Sequence, residues 1–147
     1  MQNTWIVVAD EHRVRIFEVE GKHNNFHEVD DFINPEARMR EQDLITDAKG
    51  RYFGKGERFI AHTAEPNVSS TQHTTDAFSK EIGQYLKKAR SEHRYNKLRV
   101  IAFPKFLGML RKNLDKETQR IIEDEVAKDI SNFKSRDIEE YIKTTLH

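Results

Sequence analysis

Trp5-Ile6-Val7-Val8-Ala9, closed by Asp10, is the stretch that decides the fold. It is continuous rather than alternating, and three of its members, Ile6, Val7 and Val8, are β-branched. A short apolar run of this kind is a strand covered on both faces. A second run, Leu98 to Phe103 with Val100-Ile101-Ala102 at its centre, has the same character and is stopped by Pro104. Two such strands belong in the middle of a sheet, parallel to each other, with helices on both sides.

The segments around them complete the pattern. After the polar break Asp10-Glu11-His12, a strand over Arg13–Glu20 alternates Val14, Ile16 and Phe17 with Arg13, Arg15 and Glu18, which predicts one wet face. Gly21 to Asn25 is turn chemistry, and Phe26, Val29, Phe32 and Ile33 mark a third strand, giving an antiparallel meander. Residues from about 34 to 72 carry Pro35, Gly50, Gly54, Gly56 and Pro66 and read as one long loop. Loops beyond about 12–15 residues inside a domain are frequently functional. From Thr74 or Thr75, either a candidate cap, the stripe Phe78, Ile82, Tyr85, Leu86 and Ala89 predicts a helix. Pro104 opens another with Phe106, Leu107 and Leu110. Asp115 is a candidate N-cap, with Thr118 at the capping-box position, for a third helix. Ile121, Ile122, Val126 and Ile130 would form the apolar side of that helix. The last, about Ser135 to Thr145, uses Ile138, Tyr141 and Ile142. The expectation is one α/β (α+β) domain over 1–147: a mixed sheet of about four to five strands, in the order β-β-β-loop-α-β-α-α, of ribonuclease-H-like shape.

Composition removes whole classes of function. The 147 residues contain no Cys, which excludes disulfide frameworks, thiolate zinc sites and Cys nucleophiles. No apolar run reaches the roughly 18–20 residues of a membrane span, and Met1 to Asp10 lacks signal-peptide character. A cytoplasmic protein is expected. Lys+Arg and Asp+Glu number 25 each, so the formal net charge is +0. That balance conceals segregation: residues 1–37 are net −5, 38–79 net 0, 80–112 net +8 and 113–147 net −3. A basic middle can attract an anionic partner, or it can be a solvated Lys-rich helix face.

Catalytic signals are sparse. Asp10 at the end of the first strand and Asp30-Asp31 on the third lie where an acidic site would sit in a ribonuclease-H-like shape. Asp10-Glu11-His12 equally suits a plain hairpin turn. His23 and His27 fall on turn and strand, where helical ligand spacing does not apply. No metal ligands and no cofactor are assigned. Gly54-Lys55-Gly56 lacks the spacing of a nucleotide-binding loop. It is flanked by Arg51, Lys55 and Arg58, interleaved with Tyr52, Phe53 and Phe59. Cations bind phosphate and aromatic rings stack on unpaired bases, so this mixture suits RNA; it equally suits a loop whose aromatics fold back to anchor it.

These residues together carry a resemblance. The chain resembles the bacterial host attachment protein family through Trp5 to Asp10 with Arg13 and Phe17, and through Asn34-Pro35-Glu36-Ala37-Arg38. The match continues in Asp43-Leu44, Asp47-Ala48-Lys49-Gly50-Arg51, and Arg58 with His62. It ends in Pro104-Lys105-Phe106-Leu107-Gly108-Met109-Leu110-Arg111 and Lys128-Asp129-Ile130. That family is similar to the middle domain of archaeal and eukaryotic peptide-chain release factors. The resemblance implies a helix-flanked sheet with a long loop after the third strand. In release factors that loop carries Gly-Gly-Gln and promotes ester hydrolysis on peptidyl-tRNA. Here it reads Gly54-Lys55-Gly56-Glu57, and no Gly-Gly-Gln occurs.

The expected function is therefore a ribosome-, rRNA- or tRNA-associated, release-factor-like domain that lacks the Gly-Gly-Gln hydrolysis motif. Its binding set is Asp47, Gly50, Arg51, Lys55, Arg58, His62 and Arg111. Gly50 admits a positive φ, Arg51 and Arg58 pair with phosphate or internally with Asp47 and Glu57, and His62 is a polar contact or the sole catalytic candidate. Two alternatives stand beside it: an interaction protein serving host-cell attachment, and a hydrolase using His62 with nearby carboxylates.

Overall fold

The computed structural model describes residues 3–20, 25–35 and 74–145. Among them five strands form one mixed sheet in the order β3-β2-β1-β4-β5. The strands are β1 (Asn3–Ala9), β2 (Arg13–Glu20), β3 (Asn25–Ile33), β4 (Lys97–Ala102) and β5 (Ile122–Ala127). The antiparallel meander β1-β2-β3 lies on one side, and β4 and β5 add in parallel on the other. Helix α1 spans 74–91, α2 Pro104–Asn113, α3 Lys116–Arg120 and α4 Ser135–Thr145.

The continuity of β1 follows from its central place, since alternate residues feed two cores. Trp5, Val7 and Ala9 join Val14, Ile16, Leu98 and Val100 beneath α1 and α2, whose Phe78, Ile82, Leu86, Phe106 and Leu110 complete that layer. Ile6 and Val8 join Phe17 and Ile101 against Ile130, Ile138 and Ile142. Each fully buried aliphatic or aromatic side chain contributes roughly 1.5–3 kcal/mol, so the two layers supply most of the driving force. Helix α1 buries Phe78, Ile82, Leu86 and Ala89 of the predicted stripe and half-buries Tyr85, and Thr74 and Thr75 lie within the helix.

Backbone contact sets how α1 meets α2. A Cβ on Gly83 would lie 2.5 Å from the carbonyl oxygen of Asn113, an approach only glycine permits. Asn113 Nδ2 donates to Asp76 Oδ1 at 3.0 Å and to Ser79 Oγ at 2.5 Å. Helix α1 ends in a Schellman motif, with Arg94 N donating to Ala89 O, His93 N to Arg90 O, and His93 at φ 60°.

Two local expectations are corrected. Strand β2 has no wet face along its centre, because Val14, Arg15, Ile16 and Phe17 are all buried. Residues Ile122 to Ala127 are not helical: the helix capped by Asp115 stops at Arg120, and the chain then pairs with the open edge of β4. Asp115 does occupy the N-cap position, and the Thr118 hydroxyl donates to its carboxylate.

Candidate functional site

The parallel strands β1, β4 and β5 end at one edge of the sheet, and ligands of open α/β sheets bind outside the carboxyl ends of such strands. Strand β3 ends there too, because Ile33 pairs with Arg13 and Ala9 with Val14. Helix α1 begins near this edge. Its far end touches β1's start through Arg94 over the Trp5 ring, while Phe78 near its beginning lies 6.1 Å from Phe106, just past β4. A helix over 74–91 rises about 27 Å, enough to return along the whole of β1. The described chain thus stops near this edge at Pro35 and resumes near it at 74.

The edge is held by a dense set of polar contacts. Asp10 Oδ1 accepts from the backbone N–H of His12 and Arg13, each at 2.8 Å, and so builds the hairpin turn. Its Oδ2 lies 2.8 Å from Ser131 Oγ, which also lies 2.8 Å from Asp129 Oδ1. Ser131 has one hydroxyl hydrogen and can donate to only one of these carboxylates at a time. Asn34 is buried at the exit of β3, where its N–H donates to His12 O and its Nδ2 to Glu11 O at 3.2 Å. Arg13 forks onto Asp31 at 3.0 and 2.7 Å.

Arg15 is the centre of this arrangement, and it was read from the sequence as a solvent-facing charge. It is 5% exposed. Nε and Nη2 donate to Glu28, Nη1 to the carbonyls of Ser131 and Phe133, and Nη2 also to Ser135 Oγ. All five guanidinium hydrogens are thereby used. Ser135 accepts this bond at the first position of α4. The loop after β5 is fastened to β2 and β3 through a single side chain.

Charge pairing rearranges the picture drawn from the sequence. Within the net +8 segment, Lys80 pairs with Asp76, Arg90 with Asp115, Lys97 and Arg99 with Glu123, and Arg111 with Glu125. Three of these four acidic partners belong to the acidic segment 113–147, part of which β5 brings alongside β4 and α2. The segregated charges therefore cancel largely in space. Lys87, Lys88, Lys105 and Lys112 are exposed, with no ion pair among the described residues.

Of the binding set expected from sequence, Asp47, Gly50, Arg51, Lys55, Arg58 and His62 lie outside the described residues. Arg111 is on α2 and is engaged with Glu125. Asp30 and Asp31 do not converge with Asp10: Asp31 is held by Arg13, and Asp30 faces α1 near Tyr85. The sequence signal that could have found the Asp10–Ser131–Asp129 grouping is the short polar run after each parallel strand, Asp10 after β1 and Lys128-Asp129 after β5.

Residues 5–142 match the family model described as "Protein required for attachment to host cells". No curated protein matches the chain. Among solved structures it is similar to an archaeal translation termination factor at 14% identity and a TM-score of 0.46, covering 86% of this chain and 30% of that one. It is also similar to the Aquifex aeolicus Ppx/GppA phosphatase at 11% identity and a TM-score of 0.43, covering 86% of this chain and 36% of that one. The chain spans about a third of the length of either. No helix among the described residues is long and apolar enough to cross a membrane.

Proposed function

We propose that this chain, which belongs to the family of proteins required for attachment to host cells, is a cytoplasmic domain that contacts ribosomal or transfer RNA through residues 47–62. The observation that carries the reading is the interleaving of Arg51, Lys55 and Arg58 with Tyr52, Phe53 and Phe59 on a segment joined to the sheet edge after Pro35. Cations neutralise phosphate while aromatic rings stack on unpaired bases, and neither needs a particular base sequence. Asn34 fixes the end of β3 from which the chain leaves, and Arg15 fixes the loop after β5. Ester hydrolysis is not part of the proposal, because the chain holds no Gly-Gly-Gln.

Arg51→Ala with Arg58→Ala should weaken co-sedimentation with ribosomes, or tRNA binding, and flatten its salt dependence, because each phosphate contact adds about one to the slope of affinity against salt. Co-sedimentation that is absent, or unchanged by the two substitutions at both low and moderate salt, would refute the reading. The family's description favours a second reading, an interaction protein at the host surface. Cell fractionation separates the two, since a surface-exposed pool supports the second and counts against the first.

A further inference from the structure

The antiparallel pairing of β2 with β3 gathers three metal-ligating side chains that no sequence spacing announces. Glu18 and Glu20 are two apart on β2 and so project from one face of the sheet, and His27 of β3 stands directly opposite Glu18. One ligand atom from each of Glu18, Glu20 and His27 can be chosen so that all three lie within 4.8 Å of one another. Glu18 Oε1 and His27 Nε2 are already 3.2 Å apart. Two ligands bound at the usual zinc distances lie about 3.4 Å from each other. The pair therefore needs little movement, and Glu20 needs only a side-chain rotation.

Glu18 is fixed from behind. Its other oxygen accepts from the indole Nε1 of Trp5 at 3.1 Å, and Trp5 is itself fully buried. Ligating carboxylates are characteristically held by such an outer hydrogen bond, which sets their orientation before the ion arrives. The Glu18 side chain is only 14% exposed, whereas His27 is 48% exposed and leaves the open side of the group to solvent. Charge points the same way. Among the described residues the only ion pair made by Glu18 is with His27, and Glu20 makes none. Arg94 lies over the Trp5 ring at 5.0 Å and forms no ion pair with Glu18. Among the described residues no Lys or Arg pairs with either carboxylate, and one of the two is largely withdrawn from water.

We infer that Glu18, Glu20 and His27 bind a divalent transition-metal ion such as Zn²⁺, Co²⁺ or Ni²⁺. One imidazole and two carboxylates suit these ions rather than Ca²⁺, which takes only oxygen. Three protein ligands leave at least one position for water. The inference shares no residue with the proposed RNA contact, and neither depends on the other.

The chain has a single Trp, and that Trp touches the site, so the protein contains its own reporter. Untagged protein is titrated with Ni²⁺ or Co²⁺ while Trp5 fluorescence is followed, with Zn²⁺ binding measured in parallel by calorimetry. The expected result is saturable quenching at one ion per chain and displacement of the quencher by Zn²⁺. His27→Ala should weaken binding at least tenfold, and Glu20→Gln by a smaller factor. Both side chains lie at the surface end of the hairpin, and unchanged circular dichroism confirms that the variants fold. Absence of saturable quenching below about 1 mM metal, or wild-type titration by His27→Ala, would overturn the inference.

Discussion

Replacing Arg15 by Met should destabilise the protein far more than replacing Arg13 by Met, although both arginines lie on β2 and both fork onto an acid of β3. Methionine keeps most of the volume and removes every donor. At Arg15 the change removes two bonds to Glu28, two to the main-chain carbonyls of Ser131 and Phe133, and one to Ser135. The carbonyl of Ser131 lies in a buried setting and is left without that donor. Breaking a buried ion pair by deleting one partner costs about 3–5 kcal/mol. Glu28 is 27% exposed and can partly rehydrate, so the lower end, about 3 kcal/mol, is expected. Arg13 and Asp31 are each 37% exposed, and a pair of that kind contributes about 1 kcal/mol or less. For a chain of this size each kcal/mol moves the melting midpoint by about 2–4 °C. Arg15→Met should therefore lower it by about 6–12 °C and Arg13→Met by less than about 4 °C. Urea and thermal denaturation followed by circular dichroism measure both. Equal effects of the two substitutions, within about 1 kcal/mol, would refute the reasoning that burial and the two carbonyl bonds set Arg15 apart.

The two described glycines of the helical layer should respond in opposite directions. Gly83→Ala places a methyl 2.5 Å from the Asn113 carbonyl oxygen, a backbone atom that cannot rotate away, and should destabilise by about 1–3 kcal/mol. Gly108→Ala, in the middle of α2 with nothing within 4 Å of the added carbon, should stabilise by up to about 1 kcal/mol, and urea midpoints read both. Stability should also fall in acid. Burial works against the Asp115 carboxylate, but the Thr118 hydroxyl and the Arg90 guanidinium hold it below its ordinary range. Lys97, with Arg99, does the same for Glu123. Both are depressed, so their contribution is complete above the unfolded values and is lost as pH falls through the folded ones. Asp115→Asn should flatten that decline below about pH 4. In alkali the sign reverses: burial pushes the Tyr85 phenol up to about 12 and raises Tyr95 as well. That stability is present below the unfolded value near 10 and is lost as pH rises through the folded one. Phenolate absorbance from these two residues should appear together with unfolding.

The amino-acid sequence by itself determined the elements whose burial is a matter of local pattern. Trp5 to Ala9 had to be covered on both faces whatever covered it. Phe78, Ile82, Leu86 and Ala89 could share a face only on a helix, and Pro104 could only end a strand and open a turn of helix. The parallel pairing of β1 with β4 followed from those facts and the helical crossover. Strand β5 was hidden for a specific reason. Its register shifts between Leu98 and Arg99, so Ile122 faces the layer under α1 and α2 while Val126 faces the layer under α4. Asp124 occupies the alternate position between Ile122 and Val126, and Glu123, Asp124 and Glu125 have low strand propensity, so no apolar alternation is visible. These acids form a strand because the open edge of β4 offers hydrogen bonds and Lys97, Arg99 and Arg111 offer charge.

The candidate sites divide along the same line. The basic and aromatic interleaving at Arg51 to Phe59 is contiguous, and contiguity is what a sequence displays. The burial of Arg15 could not be read from its neighbours, since three of its four partner residues, Ser131, Phe133 and Ser135, lie more than a hundred positions away. The meeting of Glu18, Glu20 and His27, and of Asp10 with Ser131 and Asp129, likewise depended on strand register and loop placement. Local periodicity fixes which residues leave water. Only the closed tertiary structure fixes which polar groups leave it together, because each must then find its partner across the fold.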